Sequence, residues 1–488
     1  MKLEFHGHDE RYIVEQSMMS LFPLEKPVYG AVEPGETDWC RLTAEETAAG
    51  GRVSGELHYS GAAGAAETAY TLSGTAFEQE GQRRYAVAAC FYLAFLDLMK
   101  ALPEAARAAG KLVLPPWGML TGVRPDKPVT WALMEGKSPE EAKAYLKAHY
   151  FVPEERAALA LETGIVGYQA QKRLAARDID LYVGIPFCPT RCAYCSFVSQ
   201  SVERSFGLVE PYVQALLAEL RAGGEMVREN RLRPRTFYMG GGTPTTLSAG
   251  QLDAVLTALE ESFDLSDCPE LTVEAGRPDT ITAEKLAVLK SHGVTRVSVN
   301  PQTMEDKVLT TIGRRHTAAE TRAAMELVSA YHFPHVNMDL IAGLPADTPE
   351  GFRRTLDKCL TFGADNITVH TLSLKKGSRI LLEGLPIPSA QDVSAMLDYA
   401  NEALRAANFT PYYLYRQKYM SGSFENVGWT RPGGEGLYNI YIMEELHSIL
   451  SLGAGGSTKM VGGGLIRRAF NAKYPREYID LAEKRSAN

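Results

Sequence analysis

The amino-acid sequence predicts an α/β fold built around a partial, TIM-like (β/α)6 barrel. Between residues 178 and 375, six short apolar segments alternate with amphipathic stretches whose apolar residues recur at three- and four-residue spacing. Strand–helix–strand repeats of this kind form a parallel sheet with right-handed crossovers. The polar and glycine-rich positions of this region also follow the apolar segments directly, and parallel barrels carry their sites at that rim.

The barrel elements can be placed from these patterns. Strands are predicted at 179–185, 235–241, 270–276, 295–301, 335–341 and 366–372. The helices between them are predicted at 207–229, 248–263, 282–292, 317–331 and 349–362. Six such units predict a partial barrel rather than a complete one of eight units.

Two further domains are predicted on either side of the barrel. Residues 1–170 are expected to form a small N-terminal α+β domain, residues 171–375 the barrel, and residues 376–488 a mainly helical domain that covers the substrate. The apolar run 85–96 predicts a buried helix in the first domain. The periodic stretch 389–407, with a serine cap, predicts a helix in the last domain, which we expect to exclude water from the barrel mouth.

The composition argues against two classes of protein. The chain has 488 residues and a formal net charge of −8, whereas general nucleic-acid binders are usually basic. The N-terminus shows no apolar signal region, and the longest apolar run is too short to span a bilayer. We therefore expect a cytoplasmic protein with no nucleic-acid partner and no membrane span.

Three of the seven cysteines cluster after the first predicted strand, at Cys188, Cys192 and Cys195. The other four are scattered, which predicts buried small side chains rather than a disulfide framework. Thiolates this close together bind metal. A structural zinc site would need a distant fourth ligand, because Phe197 occupies the position of a nearby fourth thiolate. A four-iron cluster held by three thiolates would instead leave one iron open to a cofactor, which is the favoured interpretation.

The other strand ends supply glycines and polar side chains. The segment Gly240–Thr243 follows the second strand, and glycines there let backbone groups approach a ligand closely or simply form a tight turn. Glu274 and Arg277 follow the third strand, and a guanidinium suits bidentate pairing with a carboxylate. Gln302 follows the fourth strand, and Asp339 lies within the fifth.

The CxxxCxxC spacing after the first strand of a partial barrel resembles the signature of radical S-adenosylmethionine (SAM) enzymes. The resemblance implies a 4Fe-4S cluster on the three cysteines and SAM on its open iron. It further implies that reduction cleaves SAM to a 5′-deoxyadenosyl radical, which abstracts hydrogen from the substrate.

The same resemblance implies a set of contacts to SAM. The glycine segment would bind its amino group, Glu274 its ribose hydroxyls, and Tyr194 would lie along its adenine. Arg277 would face a carboxylate of SAM or of the substrate. The complete set that the resemblance implies is Tyr194, Gly240, Gly241, Gly242, Thr243, Glu274, Arg277, Gln302 and Asp339.

Longer motifs resemble the oxygen-independent coproporphyrinogen III oxidase/dehydrogenase family of the HemZ type, roughly over residues 110–460. They include GIPFCPTRCAYCSF, FYMGGGTPT, RVSVNPQTM, IGRRHT, MDLIAGLP and YYLYRQKYM. The resemblance implies a haem-biosynthesis enzyme that oxidatively decarboxylates two propionates of coproporphyrinogen III to give protoporphyrinogen IX. Its partners would be the tetrapyrrole substrate and an electron donor such as flavodoxin or ferredoxin.

Two sequence departures keep sister branches of the family open as alternatives. The decarboxylating branch carries a fourth cysteine where this chain has Phe197, whereas the haem chaperones share the phenylalanine. The chaperones carry a His-Asn pair before a C-terminal aromatic, whereas residues 424–429 contain Asn426 without that histidine. The alternatives are a haem-binding chaperone that retains the cluster and a radical SAM methyltransferase acting on haem.

A tetrapyrrole with four carboxylates predicts cationic contacts and apolar walls near the barrel mouth. The cationic candidates are Arg277, Arg314, Arg315, His316, Arg416 and Lys418. The aromatic candidates are Tyr412, Tyr413, Tyr415 and Trp429, which could equally form the core of the C-terminal domain.

Overall fold

The structure is a computed structural model that describes residues 1–104, 112–195, 200–375, 378–417, 421–462 and 465–486. It divides into two compact units, one formed by Met1–Pro125 with Glu140–Ala158 and the other by Asp126–Pro139 with Leu159–Asn488. Segments 126–139 and 159–170, placed in the N-terminal domain from sequence, thus belong to the unit that contains the barrel. The three-domain division remains a prediction.

The first unit is an α+β structure. Its strands are β1 (Lys2–His6), β2 (Val28–Tyr29), β3 (Trp39–Thr47), β4 (Gly50–Tyr59) and β5 (Ala62–Thr71), and its helices are α1 (Arg11–Leu21), α2 (Ala76–Ala101) and α4 (Pro139–Tyr150). The strands pair in the order β2-β1-β3-β4-β5, with β3, β4 and β5 antiparallel. Helix α2 contains the predicted apolar run 85–96, and its Phe95 packs edge-on against Phe22 at a centroid distance of 5.3 Å.

The second unit contains the predicted barrel. Its parallel strands are β6 (Asp178–Ile185), β9 (Arg233–Gly241), β10 (Glu270–Glu274), β11 (Arg296–Ser298), β12 (His335–Ala342) and β13 (Asn366–Thr371). They pair side by side in chain order, as expected for successive right-handed units. Strand β11 is shorter than its predicted range because Asn300 and Pro301 follow, and proline cannot donate to a sheet ladder.

The five crossover helices that the apolar periodicity predicts are present in the second unit, and a sixth, short helix at 306–311 was not predicted. The crossover helices are α6 (Val202–Glu229), α7 (Ala249–Ser262), α8 (Ala283–Ser291), α9 (Asp306–Thr311), α10 (Ala318–Ala330) and α11 (Pro349–Leu360). The remaining ones are α3 (Lys127–Met134), α5 (Glu154–Lys172), α12 (Arg379–Glu383), α13 (Ala390–Ala406), α14 (Leu437–Glu444) and α15 (Pro475–Ser486). Within the described residues, no helix is both long and apolar enough to cross a membrane.

The C-terminal part contributes strands as well as the predicted helices. These are β14 (Thr410–Tyr415), β15 (Asn426–Thr430), β16 (Ser448–Leu452), β17 (Ser457–Gly462) and β18 (Leu465–Phe470), and they extend the barrel sheet at both edges. Over the described residues, the sheet has eleven strands in the order β14-β15-β13-β12-β11-β10-β9-β6-β16-β17-β18. The first and last strands of this sheet, β14 and β18, do not pair with each other. The barrel is therefore open, as the sequence predicts.

A buried ion pair fastens the C-terminal segment to the amino end of the barrel strands. Glu270 begins β10, is 5 % exposed, and accepts hydrogen bonds from the backbone N–H groups of Leu437 (2.6 Å) and Tyr438 (3.2 Å), at the start of α14. Arg296 lies 3.8 Å from the Glu270 carboxylate and donates to the backbone carbonyls of Gly434 (3.0 Å) and Glu435 (3.1 Å). Burial raises the pKa of Glu270, and the Arg296 charge opposes that shift.

Glu270→Ala is expected to lower the free energy of unfolding by roughly 3 kcal/mol, because it leaves the Arg296 guanidinium buried without its carboxylate. The midpoint of thermal unfolding measures the effect, with the exposed helical residue Glu261 (Glu261→Ala) as matched control. Glu270→Gln keeps an acceptor for the start of α14 and should lose less. Equal midpoints for the two alanine variants would contradict the proposed contribution of this pair.

Candidate functional site

A cavity of about 350 Å³ lies at the carboxyl ends of the parallel strands, where the barrel prediction placed the site. Its walls bring together residues from the ends of all six strands, which are far apart in sequence. The predicted residues on the wall are Cys188, Cys192, Tyr194, Cys195, Gly241, Gly242, Thr243, Glu274, Arg277, Gln302 and Asp339. Gly240 is not on the wall, and its position explains why.

Gly240 makes room for Glu274. A Cβ atom at position 240 would lie 2.8 Å from the Tyr238 ring and 3.1 Å from a carboxylate oxygen of Glu274. The resemblance presents Gly240 as a ligand contact. In the structure, Gly240 leaves space for the side chains of Tyr238 and Glu274.

The cysteine loop begins directly after β6. Cys188 lies in β7 (Phe187–Cys188), which pairs with β8 (Gln200–Ser201), and the backbone N–H of Cys195 donates to the Cys192 carbonyl at 3.2 Å. All three thiols are half-buried and line the same cavity. Phe197 lies outside the described residues, so its prediction as a substitute for a fourth thiolate stays a prediction.

The glycine segment packs directly on the cysteine loop. The backbone N–H groups of Gly242 and Thr243 donate to the carbonyls of Ile185 and Phe187, both at 2.7 Å. A Cβ atom at position 242 would lie 2.4 Å from the Phe187 carbonyl oxygen, so only glycine fits this approach without a backbone shift. The Thr243 hydroxyl contacts the Cys188 sulfur at 3.6 Å, which ties the segment to a predicted metal ligand.

Arg277 holds the cysteine loop from the opposite side. Its buried guanidinium pairs in a fork with Asp279 (3.1 and 3.2 Å) and donates to the Thr190 hydroxyl at 3.1 Å. One of its nitrogens also lies 3.9 Å from the Cys192 sulfur. Burial alone would raise the pKa of Asp279, but the contacts with His316 and Arg277 outweigh it and lower the pKa strongly. The contacts that the structure gives Arg277 are thus internal, and they position the loop.

Arg314 fastens the centre of the same loop. Its guanidinium is buried, donates to the Asn300 carbonyl at 2.5 Å and donates to the Tyr194 hydroxyl at 3.1 Å. The backbone N–H of Ala193 donates to the Ile312 carbonyl at 2.9 Å. Burial raises the pKa of Tyr194, so its phenol stays protonated. Arg314, predicted as a substrate contact, therefore also fixes the position of Tyr194.

Glu274 lies across the cavity in a buried aromatic setting. The Tyr238 hydroxyl donates to its carboxylate at 2.5 Å, and the Tyr238 ring stacks on Tyr438 at a centroid distance of 4.5 Å. Burial raises the pKa of Glu274 to about 7. Sequence reasoning missed Tyr238, although it lies two residues before Gly240 on β9 and strand alternation places those two positions on one face.

Asp339 belongs to a polar chain on the next two strands. The Asn337 amide donates to its carboxylate at 2.8 Å, and His370 Nε2 lies 3.8 Å from its other oxygen. The second ring nitrogen of His370 is 3.3 Å from the Tyr415 hydroxyl. Burial would raise the pKa of Asp339, but the neighbouring His370 and Asn337 lower it. Asp339 is therefore held as a carboxylate.

Gln302 has a strained backbone and an unsatisfied amide. It has φ +68°, in the left-handed region that a non-glycine residue rarely adopts, and its N–H donates to the Asp339 carbonyl at 3.0 Å. Its side-chain oxygen is buried and has no hydrogen-bond partner within the described part of the chain. A buried acceptor on a cavity wall is suited to a donor group of a ligand.

The predicted substrate contacts divide into three groups. Arg277, Arg314, Tyr413 and Tyr415 line the cavity, and Lys375, which sequence reasoning missed, lines it with them. Off the wall are Arg315, Arg416, the buried His316 beside Asp279, Tyr412 with its ring edge-on to Tyr413, and the buried Trp429 under Arg405. Lys418 lies outside the described residues.

The chemistry of these walls fits a thiolate-bound cluster and a nucleoside-bearing cofactor. Three half-buried thiols face one cavity, and carboxylates and an amide oxygen stand across it as acceptors for hydroxyl or amino groups. Across the described residues, no three His, Cys, Asp or Glu side chains form a group that could hold a single metal ion.

Comparison with known proteins gives the class of the molecule. Residues 182–359 match the Radical SAM superfamily. The chain is 38 % identical over 380 residues to the oxygen-independent coproporphyrinogen-III oxidase-like protein HemZ of Bacillus subtilis, covering 75 % of each chain. It is 30 % identical over 319 residues to the heme chaperone HemW of Mycobacterium tuberculosis, covering 63 % of this chain and 75 % of that one.

The solved structure of coproporphyrinogen III oxidase HemN from Escherichia coli shares the fold, with a TM-score of 0.54 and 23 % identity over 66 % of this chain and 73 % of that one. The chain therefore belongs to the radical SAM superfamily and, within it, to the coproporphyrinogen oxidase-like family that contains HemZ. This confirms the resemblance seen in the sequence. The family brings its cofactors, a 4Fe-4S cluster and SAM.

Gly242→Ala is expected to lower the free energy of unfolding of the second unit by roughly 1–3 kcal/mol, because the new Cβ would collide with the Phe187 carbonyl. Iron and sulfide bound after reconstitution should fall as well, since the cysteine loop must move. Gly250→Ala is the matched control, because a Cβ there meets no atom within 4 Å. Full iron content and an unchanged melting midpoint in Gly242→Ala would overturn this account of the contact.

Proposed function

We propose that the protein is a radical SAM enzyme of haem biosynthesis that oxidatively decarboxylates two propionates of coproporphyrinogen III to give protoporphyrinogen IX. Each propionate would lose one hydrogen atom, one CO₂ and one electron, and become a vinyl group. The electron passes to an external acceptor. The support is the relationship to HemZ and a cavity suited to the cofactors of that family.

The observation that carries the proposal is the arrangement of the cavity walls. The three thiols line the same cavity as Glu274, Gln302 and Asp339, which lie at or near the ends of other strands. Three thiol ligands leave one iron of a four-iron cluster without a protein ligand. Glu274, Gln302 and Asp339 would supply hydrogen-bond acceptors to a cofactor bound to that iron.

The residues of this chain supply binding, orientation and shielding. When bound, the cluster and SAM supply the hydrogen-abstracting radical chemistry. Cys188, Cys192 and Cys195 would ligate the cluster, and Arg277 and Arg314 hold their loop in place. The Glu274 carboxylate would accept hydrogen bonds from the ribose hydroxyls, and the Gln302 amide oxygen would accept one from another donor of the same cofactor.

Another part of the cavity lining is suited to a carboxylate-bearing tetrapyrrole. Tyr413 and Tyr415 stack with an interplanar angle of 7° and both line the wall, which provides a flat apolar surface. Lys375 lies on the same wall and would pair with a propionate. His370 lies between Asp339 and Tyr415, with Nε2 toward the carboxylate and Nδ1 toward the hydroxyl. These two contacts would fix which ring nitrogen carries the proton.

A haem-binding chaperone is the second candidate function. It is favoured by relatives such as the heme chaperones HemW of Mycobacterium tuberculosis and Bacillus subtilis, each 30 % identical to this chain. A chaperone binds haem and leaves it chemically unchanged, whereas the proposed enzyme removes two carboxyl groups. The mass of the tetrapyrrole after incubation therefore separates the two.

Anaerobic turnover tests the proposed function. The protein is reconstituted with iron and sulfide, reduced, and supplied with SAM and coproporphyrinogen III, and mass spectrometry follows 5′-deoxyadenosine and the porphyrin. Loss of two carboxyl groups is expected from the native protein. Cys192→Ala should abolish it, whereas Cys268→Ala, at a buried position away from the cavity, should retain it.

The other outcomes of that experiment are equally informative. 5′-Deoxyadenosine without any change in the porphyrinogen would mean that the substrate is wrong. A fully loaded cluster without deoxyadenosine, together with stoichiometric haem binding, would favour the chaperone. A methylated, opened tetrapyrrole would identify the methyltransferase alternative.

SAM affinity is expected to rise as the pH rises through about 7, the pKa that burial gives Glu274. The sign follows because only the ionised carboxylate accepts hydrogen bonds with both oxygens, and the raised pKa leaves it protonated below that pH. Equilibrium dialysis of the reconstituted protein with labelled SAM, in buffers below and above that pH, measures it. Glu274→Gln should bind more weakly and without this pH dependence, and a variant that keeps it would rule out Glu274 as the source.

A further inference from the structure

A second cavity of about 700 Å³ lies on the outer side of the cysteine loop, and four arginines stand on its wall. We call it the arginine groove and define it by Arg191, Arg204, Arg315 and Arg379. None of these four side chains lines the barrel cavity, and none has a role in the reaction proposed above.

The groove carries more positive than negative side chains in a protein of net negative charge. The lining carries one carboxylate, Glu203, which forms a fork with Arg315, and Glu383 pairs with Arg379 from one helical turn away at 2.6 Å. Among the described residues, two of the four arginines thus pair with a carboxylate, and Asp279 attracts Arg315 from farther away, whereas the whole chain carries −8. The arginine side chains are exposed, so their positive potential extends into solvent.

The groove lies directly behind the predicted metal ligands. Arg191 lies between Cys188 and Cys192 in sequence, and Thr190 lines both the arginine groove and the cavity that contains the thiols. Thr190 is held by Arg277 and by its own hydrogen bond to the Gly313 carbonyl at 3.1 Å. A molecule seated in the groove would therefore contact the cysteine loop itself, with Thr190 between it and the cavity that contains the thiols.

An exposed aromatic residue follows the groove residues Arg204 and Ser205 directly in sequence. Phe206 is 78 % exposed and follows Ser205, a lining residue at which the start of α6 departs from helical geometry. A single exposed phenylalanine would need no explanation, but aromatic residues beside arginines are the composition of protein–protein contact centres. This combination fits a protein partner better than a small anion.

We propose that the arginine groove is the docking surface of an acidic one-electron carrier protein. The carrier's carboxylates would face the four arginines, and an apolar part of its surface would cover Phe206. In each transfer the carrier loses one electron and the metal site behind Thr190 gains one, so the electrons balance. The inference rests on the proposed function only in requiring a reducible cluster on the three cysteines, and it does not depend on the tetrapyrrole.

The test compares a protein donor with a small one. Reduction of the reconstituted cluster is followed by its absorbance after mixing with a reduced flavodoxin of strongly negative charge, or with dithionite. Isothermal calorimetry measures the Kd of the oxidised flavodoxin for the same protein. The variants are Arg204→Glu with Arg379→Glu, Phe206→Ser, and Arg228→Glu as control, since Arg228 is exposed near the other end of α6.

The double variant is expected to slow reduction by flavodoxin roughly tenfold or more at low ionic strength, and to raise the Kd in parallel. Added salt should slow the native protein and change the double variant little. Dithionite reduction, iron content and SAM affinity should match the native protein in every variant. Phe206→Ser should raise the Kd without changing its salt dependence.

Native rates and Kd values in the double variant would overturn the proposal, as would equal losses in Arg228→Glu. Loss with dithionite as well as with flavodoxin would also overturn it, because the substitutions would then act on the cluster itself. A tetrapyrrole that stays unchanged while flavodoxin binding and cluster reduction behave as expected would defeat the proposed function and leave the docking surface standing.

Discussion

Backbone contact between two loops is the constraint on which the rest of the site depends. The N–H groups of Gly242 and Thr243 reach the carbonyls of Ile185 and Phe187 at 2.7 Å, which is possible because position 242 has no side chain. This contact joins the end of β6 to the end of β9. The cysteine loop leaves from the first of these strand ends, so these backbone hydrogen bonds fix its starting direction.

Both cations and carboxylates line the cavity, each on the end of a different strand or on a loop after it. On the cysteine side, Arg277 and Arg314 are buried cations whose partners are Asp279 and backbone carbonyls, so their charge stays close to the thiols. The carboxylates Glu274 and Asp339 line the cavity from strands β10 and β12. A positive wall stabilises thiolates and the negative charge of a thiolate-bound cluster, whereas the acidic wall favours donors. The positions of these charged side chains would orient a polar ligand in the cavity.

Local patterns predicted the strands, the helices and the rim on which the site lies, because apolar spacing and strand ends are properties of short segments. Long-range contacts were not predictable in this way. Arg314 was interpreted as a substrate contact, and only the fold shows that Tyr194 and Asn300 take its donors. Tyr238 went unnoticed because its partner Glu274 comes from another strand. The short C-terminal strands were not predicted, because they form by pairing with the edges of the barrel sheet and not from a strong local pattern.

Strand β16 has a consequence for how the molecule is made. It pairs in parallel with β6, so Ser448–Leu452 covers the outer edge of a strand that is complete at Ile185. During synthesis on the ribosome, β6 must therefore keep an unpaired edge until more than half of the chain has followed it. Exposed edges of this kind recruit other strands, and multi-domain chains at this stage are prone to aggregate. Until β16 is synthesised, the nascent chain is therefore expected to be more prone to aggregation than the finished barrel.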